Sequence, residues 1–415
     1  MMNSKLYSPL TLPNGVTLTN RFVKAAMEEN LSDENLEPNT ALWNLYEAFA
    51  KGGVGTIITG NVMVDHRSMT GPGGVVLEKG TKLENFKIWS SKTKSDGAKI
   101  IMQINHPGRQ ILAKLGGNVW APSAISVDIG SLSKLLGKPK AMEEFEILET
   151  INRFANTAKL AEESGFDGVQ IHAAHGYLIS QFLSPLVNQR KDQWGGSLEN
   201  RSRFLTEVIQ SVRKVVSANF IVSVKINSSD FQKGGFQFED AISVIKSLQK
   251  LGVDFIEISG GNYEAPAMQG VSRDGSTLAR EAYFLDFAKE ITKISTIPIM
   301  VTGGISRKEI AESVLDSGVS LVGIATSLAI NPNLPNEWRE NKETNQKLPV
   351  PHWKSKTLVG LATMAMVRYQ LQRLSKRKQP TVNVLPAVRL VMDQIRLATL
   401  TKRYKKLMEK GLKQV

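Results

Sequence analysis

Short runs of β-branched and apolar residues recur along the first 330 residues, and most are followed by a longer segment with helical periodicity. This alternation is typical of βα units packed around a parallel sheet. Eight runs are candidate strands: residues 21–27, 55–64, 99–105, 168–172, 220–227, 254–259, 298–302 and 320–326. Eight such units over roughly 310 residues favour a closed barrel over a doubly wound open sheet. The spacing therefore predicts an α/β fold with a single (β/α)8 TIM barrel.

Local signals add detail to this barrel. Residues 10–19 form two alternating runs about Asn14-Gly15, which predicts an N-terminal β-hairpin that could plug one end of the barrel. Ser306 followed by Glu309 predicts a capping box at a helix start. The connection over residues 108–140 has the length of a binding loop or lid. Helical segments are expected at residues 145–164, 198–217, 238–251, 280–292 and 306–317.

The net charge of +13 is unevenly distributed. After Trp338 there are 18 Lys and Arg against 4 Asp and Glu, which leaves 34 against 35 for residues 1–338. A neutral body argues against an electrostatic footprint for nucleic acid on the barrel. We therefore divide the chain into a barrel, residues 1–338, and a basic α-helical C-terminal extension, residues 339–415.

The extension is predicted to contain two helices, at residues 356–375 and 387–410. The second carries apolar residues at helical spacing: Val388, Val391, Ile395 and Leu400. One interpretation is a helical hairpin that packs on the barrel or on a second subunit of a homo-oligomer. The other is a membrane-surface helix pair attracted to anionic lipid. Aromatic residues are too sparse there for bases to stack on, so we expect no nucleic-acid partner.

The chain has no cysteine, which excludes disulfides, thiolate metal sites and iron–sulfur clusters. Any redox chemistry must therefore come from a bound organic cofactor. The first ten residues lack the pattern of a secretory leader, and no run approaches the roughly 18 apolar residues of a membrane span. We expect a cytoplasmic protein, with peripheral contact at a membrane surface left open by the basic extension.

Polar side chains follow several of the predicted strands. In a TIM barrel the carboxyl ends of the strands meet at one mouth, where active sites are built. The polar ends are Gln103 to Arg109 after the third strand, His172 to Tyr177 after the fourth, Lys225 to Asp230 after the fifth, and Gly303-Gly304 after the seventh. We expect these residues to lie close together.

One of these segments matches a known family almost throughout. The run from His172 to Arg203, H-A-A-H-G-Y-L-I-S-Q-F-L-S-P-L-V-N-Q-R-K-D-Q-W-G-G-S-L-E-N-R-S-R, closely resembles the old yellow enzyme family of FMN-dependent ene-reductases, in its NADH:flavin oxidoreductase branch. Asn20-Arg21, the segment from Gln103 to Arg109 and Gly303-Gly304 also match. The resemblance covers about residues 5–335, and the basic extension lies outside it.

The resemblance implies a role for each matching residue. His172 and His175 would hold the carbonyl oxygen of the substrate, and Tyr177 would supply a proton to the carbon beside that carbonyl. Two imidazole donors aimed at one oxygen would stabilise developing enolate charge, and a positioned phenol can act as a general acid. The cofactor would contact Ala25, Ala26, Met27, Gln103 and Lys225 around the flavin ring, and Gly303, Gly304, Ala325 and Thr326 around its phosphate.

Three positions depart from the family pattern. Glu28 stands at the flavin edge where a Thr or Cys is usual, and we count it among the substrate-binding residues. Lys225 replaces an Arg, which retains the charge but loses the forked donor geometry. The eighth strand ends Gly323-Ile-Ala-Thr326, where a Gly-Arg pair often grips the phosphate.

The sequence thus predicts an FMN-dependent oxidoreductase that takes hydride from NADH or NADPH and reduces an electron-poor alkene conjugated to a carbonyl or nitro group. No metal is expected. Two alternatives stay open on the same barrel: amine dehydrogenation, and reduction of quinones or oxygen. A binding protein driven by its basic extension, with the barrel as a scaffold, is a further alternative of another class.

Overall fold

A computed structural model of the chain describes residues 4–94, 96–269, 282, 284–342, 344 and 346–412. Within these residues, eight parallel strands pair in sequence order, and the eighth pairs with the first. The strands, β1 to β8, are Phe22–Lys24, Thr56–Ile58, Lys99–Asn105, Gly168–Ala173, Ile221–Asn227, Phe255–Ser259, Ile299–Thr302 and Leu321–Ile324. Because the sheet closes on itself, the predicted TIM barrel is confirmed.

Helices surround the barrel and continue into the C-terminal extension. In the described ranges they are α1 to α12: Thr40–Lys51, Glu84–Thr93, Glu144–Glu163, Leu178–Leu183, Leu198–Arg213, Phe238–Leu248, Leu285–Thr292, Lys308–Asp316, Thr326–Ile330, Leu334–Arg339, Lys356–Ser375 and Pro386–Leu412. Side chains cap several helices: Asn39 accepts from the amides of Ala41 and Leu42 at α1, and Ser197 accepts from Asn200 N at α5. Such caps satisfy amides that have no partner inside the helix.

The N-terminal hairpin closes the amino end of the barrel, as predicted. Leu10–Thr11 pairs antiparallel with Thr17–Leu18. The side chains of Leu12 and Leu18 are buried against inward-facing residues of the barrel strands. That apolar floor consists of Val23, Ala25, Ile58, Ile101, Ile221, Phe255, Met300 and Leu321. Water is thereby excluded from the amino end, so the polar contents of the barrel are accessible only from the mouth.

Two local predictions differ from the structure. The capping box at Ser306 is wrong: Arg307 is the N-cap residue of α8, with φ −125° and ψ 144°. The third helical residue is consequently Ile310 rather than Glu309, and a capping box needs its acidic residue at that third position. The helix predicted from residue 280 begins at Leu285 in the described part of the chain, and Arg280 lies outside the described residues.

The two helices of the extension pack against each other and against the barrel. Arg368 of α11 pairs with Asp393 of α12, with Nε 3.0 Å from Oδ1. α11 lies along α1, where Asn44 Nδ2 donates to Ser375 O at 3.1 Å. No helix in the described ranges is long and apolar enough to cross a membrane. The domain boundary at residue 338 stays a prediction, and Trp338 itself is buried within α10.

Most of the apolar stripe predicted on the second helix of the extension does not face the barrel. Val388, Val391 and Ile395 are 42%, 58% and 63% exposed. The barrel-facing side of α12 includes Asp393, Thr401 and Tyr404, all of which are buried, and Leu407 and Met408 pack against residues of the barrel loops. Three of the four predicted apolar residues are therefore exposed, whereas Leu400 lies beside Gly73 of the loop after β2.

Candidate active site

A network of polar side chains lies inside the barrel, above the apolar floor. Every second residue of a strand faces the barrel interior, so each strand contributes at alternate positions. Gln103 Nε2 donates to Gln170 Oε1 at 2.7 Å, and Gln170 Nε2 donates to Glu257 Oε2 at 2.9 Å. Lys225 Nζ lies 3.0 Å from Glu257 Oε1, and Thr302 Oγ1 donates to that oxygen at 2.7 Å. Side chains of β3, β4, β5, β6 and β7 are joined in this way.

The network includes three residues that sequence reasoning missed: Gln170, Glu257 and Thr302. Gln170 and Glu257 are fully buried, and a buried carboxylate requires a countercharge, which Lys225 provides. A signal for them did exist. Gln170 lies two residues before His172, and Glu257 lies two residues before Ser259, so each shares the inward-facing side of its strand with a polar residue nearer the mouth.

The three predicted catalytic residues come together at the carboxyl end of β4. The ring centroids of His172 and His175 are 5.0 Å apart, and those of His172 and Tyr177 are 4.8 Å apart. His175 has a positive φ of 61°, and its amide donates to Asn227 Oδ1 at 3.1 Å. This turn carries the chain back over the mouth, so that Tyr177 becomes the N-cap residue of α4. The three rings therefore face one another across a short gap.

Both histidines are held in the neutral form. Burial lowers the pKa of His172 and of His175 well below the ordinary value, and the nearby Lys225 ammonium lowers both further. Ala174 N donates to His172 Nδ1 at 3.3 Å, so the proton of a neutral His172 ring is on Nε2. His175 Nε2 lies 2.7 Å from Ser259 Oγ. His172 thus has one N–H donor available for a ligand oxygen.

Tyr177 has a second phenol beside it. Tyr177 Oη lies 3.5 Å from Tyr263 Oη, and the two rings meet edge to face with centroids 6.2 Å apart. Burial, Tyr263 and the Glu28 carboxylate raise the pKa of Tyr177, so its hydroxyl keeps its proton at neutral pH. Burial and Glu28 also raise the pKa of Tyr263 to about 12. The position of Tyr263 beside Tyr177 was not predicted from the sequence.

Glu28 lies at the rim of the mouth. Thr70 Oγ1 donates to Glu28 Oε1 at 3.0 Å, which fixes the carboxylate between the loops that follow β1 and β2. Its charge affects both tyrosines, as the pKa shifts of Tyr177 and Tyr263 show. The carboxylate expected at the flavin edge is therefore positioned toward the tyrosine pair.

The residues predicted to hold the cofactor lie around the same mouth. Ala25 N donates to Ile324 O at 2.9 Å, which joins the end of β1 to the end of β8. Gly303 and Gly304 follow β7 with φ of 145° and 68°, conformations that favour glycine. Lys308, at the start of α8, donates to Trp338 O at 3.0 Å and to Asn341 Oδ1 at 2.7 Å. Ala26, Met27, Ala325 and Thr326 complete the neighbouring strand ends of β1 and β8.

The donor set at the mouth suits a flavin. The pyrimidine edge of a flavin offers carbonyl oxygens and ring nitrogens, and the mouth provides the buried amide of Gln103 and the buried ammonium of Lys225. Asn105, also buried at the end of β3, has no hydrogen-bond partner for either side-chain polar atom among the described residues. Buried polar atoms of this kind normally have partners, so their presence at the mouth is consistent with a polar ligand.

Comparison with known proteins decides the family. Residues 5–345 match the model of the NADH:flavin oxidoreductase / NADH oxidase family. The chain belongs to this family. It is 39% identical over 357 residues to the NADH-dependent flavin oxidoreductase iliE of Hypocrea jecorina (strain QM6a), a match that covers 81% of this chain and 89% of that protein. It is 35% identical to an NADPH dehydrogenase of Geobacillus sp. (strain WCH70), with 80% and 93% of the two chains covered.

Solved structures agree with this assignment. A 2-naphthoyl-CoA reductase in complex with 2-naphthoyl-CoA superposes with a TM-score of 0.74 at 26% identity, covering 81% of this chain and 52% of that chain. An old yellow enzyme homologue from Zymomonas mobilis has a TM-score of 0.71 at 23% identity, covering 83% and 95%. The chain is therefore an FMN-dependent, NAD(P)H-dependent oxidoreductase of the old yellow enzyme family. The family match ends at residue 345, before α11 begins.

A buried histidine near the mouth should make folding stability depend on pH. Burial lowers the pKa of His106 to about 4, because the ring stacks on Trp120 away from water. The unfolded chain binds a proton near pH 6.5, whereas the folded chain resists it. The contribution of His106 to the free energy of unfolding is therefore fully present above pH 6.5 and is lost as the pH falls toward 4. The loss is on the order of 3 kcal/mol. Urea denaturation of the FMN-saturated protein at several pH values measures it.

Replacement variants isolate the contribution of His106. We expect the free energy of unfolding of His106→Gln to fall less between pH 6.5 and pH 4 than that of the wild type. This difference in slope does not depend on how the substitution changes stability at pH 7. His352→Gln removes an exposed histidine and should leave the wild-type dependence unchanged. Equal pH dependence of the wild type and His106→Gln would contradict the assignment.

Proposed function

We propose that the protein reduces the C=C bond of an α,β-unsaturated carbonyl compound or nitroalkene, with Tyr177 as the proton donor. The observation that carries the proposal is the position of the neutral His172 ring, whose centroid lies 5.0 Å from that of His175 and 4.8 Å from that of Tyr177, near the buried Lys225–Glu257 pair. FMN, when bound, supplies the hydride that NADH or NADPH provided. The chain contributes the polarisation of the substrate and the proton.

The histidine pair would polarise the substrate. His172 Nε2–H can donate to the carbonyl or nitro oxygen, and His175 can donate to the same oxygen once its ring exchanges the Ser259 hydroxyl for the ligand. As hydride adds to the β-carbon, the π electrons of the alkene move toward that oxygen. Donors already aimed at the oxygen stabilise this charge without reorganisation, and the Lys225 ammonium beneath adds to the positive field.

Tyr177 would complete the addition. Its hydroxyl proton passes to the α-carbon of the enolate, and the tyrosinate left behind recovers a proton from water at the mouth. Tyr263, whose hydroxyl lies 3.5 Å away, can donate a hydrogen bond to the developing tyrosinate. A phenol is a weak acid, but an enolate carbon is strongly basic, so the transfer is favourable.

The cofactor and substrate contacts carried over from the family form part of this proposal. Gln103 and Lys225 would bind the pyrimidine edge of the flavin, and Glu28 would line the substrate side of the pocket. The backbone of the remaining positions would surround the ring and the phosphate: Ala25, Ala26, Met27, Gly303, Gly304, Ala325 and Thr326.

A reoxidation experiment distinguishes the proposed reaction from its alternatives. Enzyme reduced anaerobically with NADH or NADPH is mixed with 2-cyclohexenone, 1,4-benzoquinone or oxygen, and oxidised enzyme is mixed with trimethylamine. We expect 2-cyclohexenone to reoxidise the flavin with formation of cyclohexanone, and the His172→Ala/His175→Ala variant to lose this reaction. Reoxidation by quinone or oxygen alone, or reduction of the flavin by the amine, would replace the proposal with the corresponding alternative.

The proton donor has its own test. We expect Tyr177→Phe to slow reoxidation by 2-cyclohexenone at least 100-fold while NADH or NADPH reduces the flavin within about twofold of the wild-type rate, since a positioned general acid contributes about 10²–10⁴. Stopped-flow absorbance of the flavin measures both half-reactions. Tyr369→Phe, which removes a phenol from the extension, is the matched control and should resemble the wild type. Equal slowing of the two half-reactions would count against a donor role.

We further propose that the exposed side of α12 contacts the surface of an anionic membrane. The side chains of Leu385, Val388, Val391, Met392 and Ile395, called the α12 ridge, are between 42% and 69% exposed. Lys402, Lys405 and Lys406 are exposed further along the same helix. Of the carboxylates on the described part of α12, Asp393 is buried and only Glu409 is exposed. Apolar residues followed by lysines fit acyl chains and lipid phosphates, each lysine contributing about 1 kcal/mol.

Vesicle binding tests the α12 ridge. Full-length protein should sediment with vesicles that contain phosphatidylglycerol and remain in solution with pure phosphatidylcholine. Val391→Glu/Ile395→Glu should abolish the binding, and Leu148→Glu, at an exposed apolar position on α3, should not. If the ridge instead forms the interface of the predicted homo-oligomer, light scattering should give an oligomeric mass for the wild type and a monomeric mass for the double variant. That result, with no vesicle binding, would overturn the membrane proposal.

A further inference from the structure

The loops that follow β1 and β2 are joined to each other at the barrel mouth. Ser32 N donates to Gly73 O at 3.1 Å, and Val76 N donates to Leu36 O at 2.9 Å. Each of these bonds runs from one loop to the other, so the position of each loop depends on that of its neighbour. We call the two joined segments the loop seam: residues 28–36 and 66–76.

The Glu28 carboxylate is held within the loop seam. Thr70 Oγ1 donates to Glu28 Oε1 at 3.0 Å, from the second loop to the first. Glu28 and the buried Asn30 both crowd Gly71: an added Cβ atom at Gly71 would lie 2.7 Å from Asn30 Oδ1 and 2.9 Å from Glu28 Oε1. The position of the carboxylate is therefore tied to that of Asn30 and of the second loop.

Two arginines of α12 bind the backbone of the first loop. Arg403 Nη2 donates to Ser32 O at 2.9 Å, and the guanidinium of Arg396 donates to Asn30 O. Hydrogen bonds from a charged donor are stronger than those between neutral groups. The loop after β1 is thus attached to α12 at two points, and one of them is only two residues from Glu28.

α12 is also packed against the second loop. Tyr404 is 1% exposed, and its hydroxyl donates to His66 O at 2.7 Å. Its ring belongs to a buried cluster with residues from the segments after β1, β2 and β3: Leu36, Met63, Met69, Val76, Ile111 and Leu115. Leu400 lies so close to Gly73 that an added Cβ atom there would come within 2.9 Å of Leu400 Cδ1. The helix therefore crosses the loop seam and contacts both of its segments.

We propose that α12 acts as a strap that holds the loop seam together, and that Arg396 and Arg403 are positioning residues for the Glu28 carboxylate. This inference rests on the proposed function, in which Glu28 lines the substrate side of the pocket. A loop that is already ordered loses little conformational entropy when a substrate binds beside it, so the strap should favour binding. α12 begins after the end of the family match at residue 345, so the strap is formed by residues outside the matched part of the chain.

Three double variants separate the strap from other properties of the helix. Arg396→Gln/Arg403→Gln removes the two charged donors and leaves Tyr404 and its buried cluster unchanged, so α12 should remain folded on the barrel. Arg396→Lys/Arg403→Lys retains a charged donor at each position. Lys402→Gln/Lys406→Gln is the matched control, because it removes the same charge from two exposed positions of the same helix.

Hydrogen exchange of the full-length, FMN-saturated protein measures the opening of the loop seam. The amides of Ser32 and Val76 donate across the seam, so their exchange depends on its separation. We expect both amides to exchange about tenfold faster in Arg396→Gln/Arg403→Gln, while the amides of β5 keep the wild-type rate. The Lys402→Gln/Lys406→Gln control should match the wild type throughout.

Steady-state kinetics with 2-cyclohexenone tests the positioning role. We expect Arg396→Gln/Arg403→Gln to raise the KM for the enone about tenfold and to leave kcat within about twofold, because the strap affects binding rather than the chemical step. Arg396→Lys/Arg403→Lys should restore most of the lost KM. A general loss of structure would instead lower kcat and release FMN.

The two measurements decide the inference separately from the proposed function. Wild-type exchange at Ser32 and Val76 in Arg396→Gln/Arg403→Gln would show that α12 does not hold the seam. Faster exchange with an unchanged KM would overturn the positioning role and leave the proposed function intact. If the wild-type enzyme reduces no enone, the proposed function fails, and the exchange rates alone then decide whether α12 is a strap.

Discussion

The buried ion pair between Lys225 and Glu257 is the interaction on which the active-site end of this barrel depends. Glu257 has no contact with solvent, and removing one partner of such a pair typically costs about 3–5 kcal/mol, because the other charge remains buried. The pair lies between an apolar floor closed by Leu12 and Leu18 and a mouth lined by histidines and tyrosines. Because Gln170 and Thr302 also bind Glu257, the pair orients side chains from several strands at once.

This arrangement also sets the protonation state of the mouth. Burial and the Lys225 ammonium lower the pKa of both histidines. The neutral rings can therefore donate hydrogen bonds without carrying charge. On the other side of the mouth, burial and the Glu28 carboxylate raise the pKa of both tyrosines, which keeps their hydroxyls protonated. The mouth thus contains neutral imidazole donors near Lys225 and protonated phenols near Glu28. Those are the states that polarisation of a carbonyl followed by proton transfer would require.

The two helices of the C-terminal extension lie beyond the part of the chain that the family model matches. The structure agrees with the interpretation of a helical hairpin that packs on the barrel, and the hairpin has two different faces. One face is bound to the loops of the mouth through Arg403 and Tyr404. The other face exposes the apolar side chains of the α12 ridge. A single helix thereby connects the rim of the active site to a surface that has no partner within the described chain.

The sequence alone determined the barrel, the N-terminal hairpin and the proximity of His172, His175 and Tyr177. The alternation of strands and helices, the turn at Asn14-Gly15 and the run from His172 to Arg203 are all local patterns, so they can be recognised without the tertiary structure. It could not identify Gln170, Glu257 or Tyr263, whose importance depends on which side chains face one another across strands far apart in the chain. It left open what the apolar residues of α12 contact, since spacing shows that a face exists but not which side is covered. Only tertiary packing decided that Arg368 is buried against Asp393 of the next helix, because burial of a guanidinium requires both its carboxylate partner and the fold that encloses them.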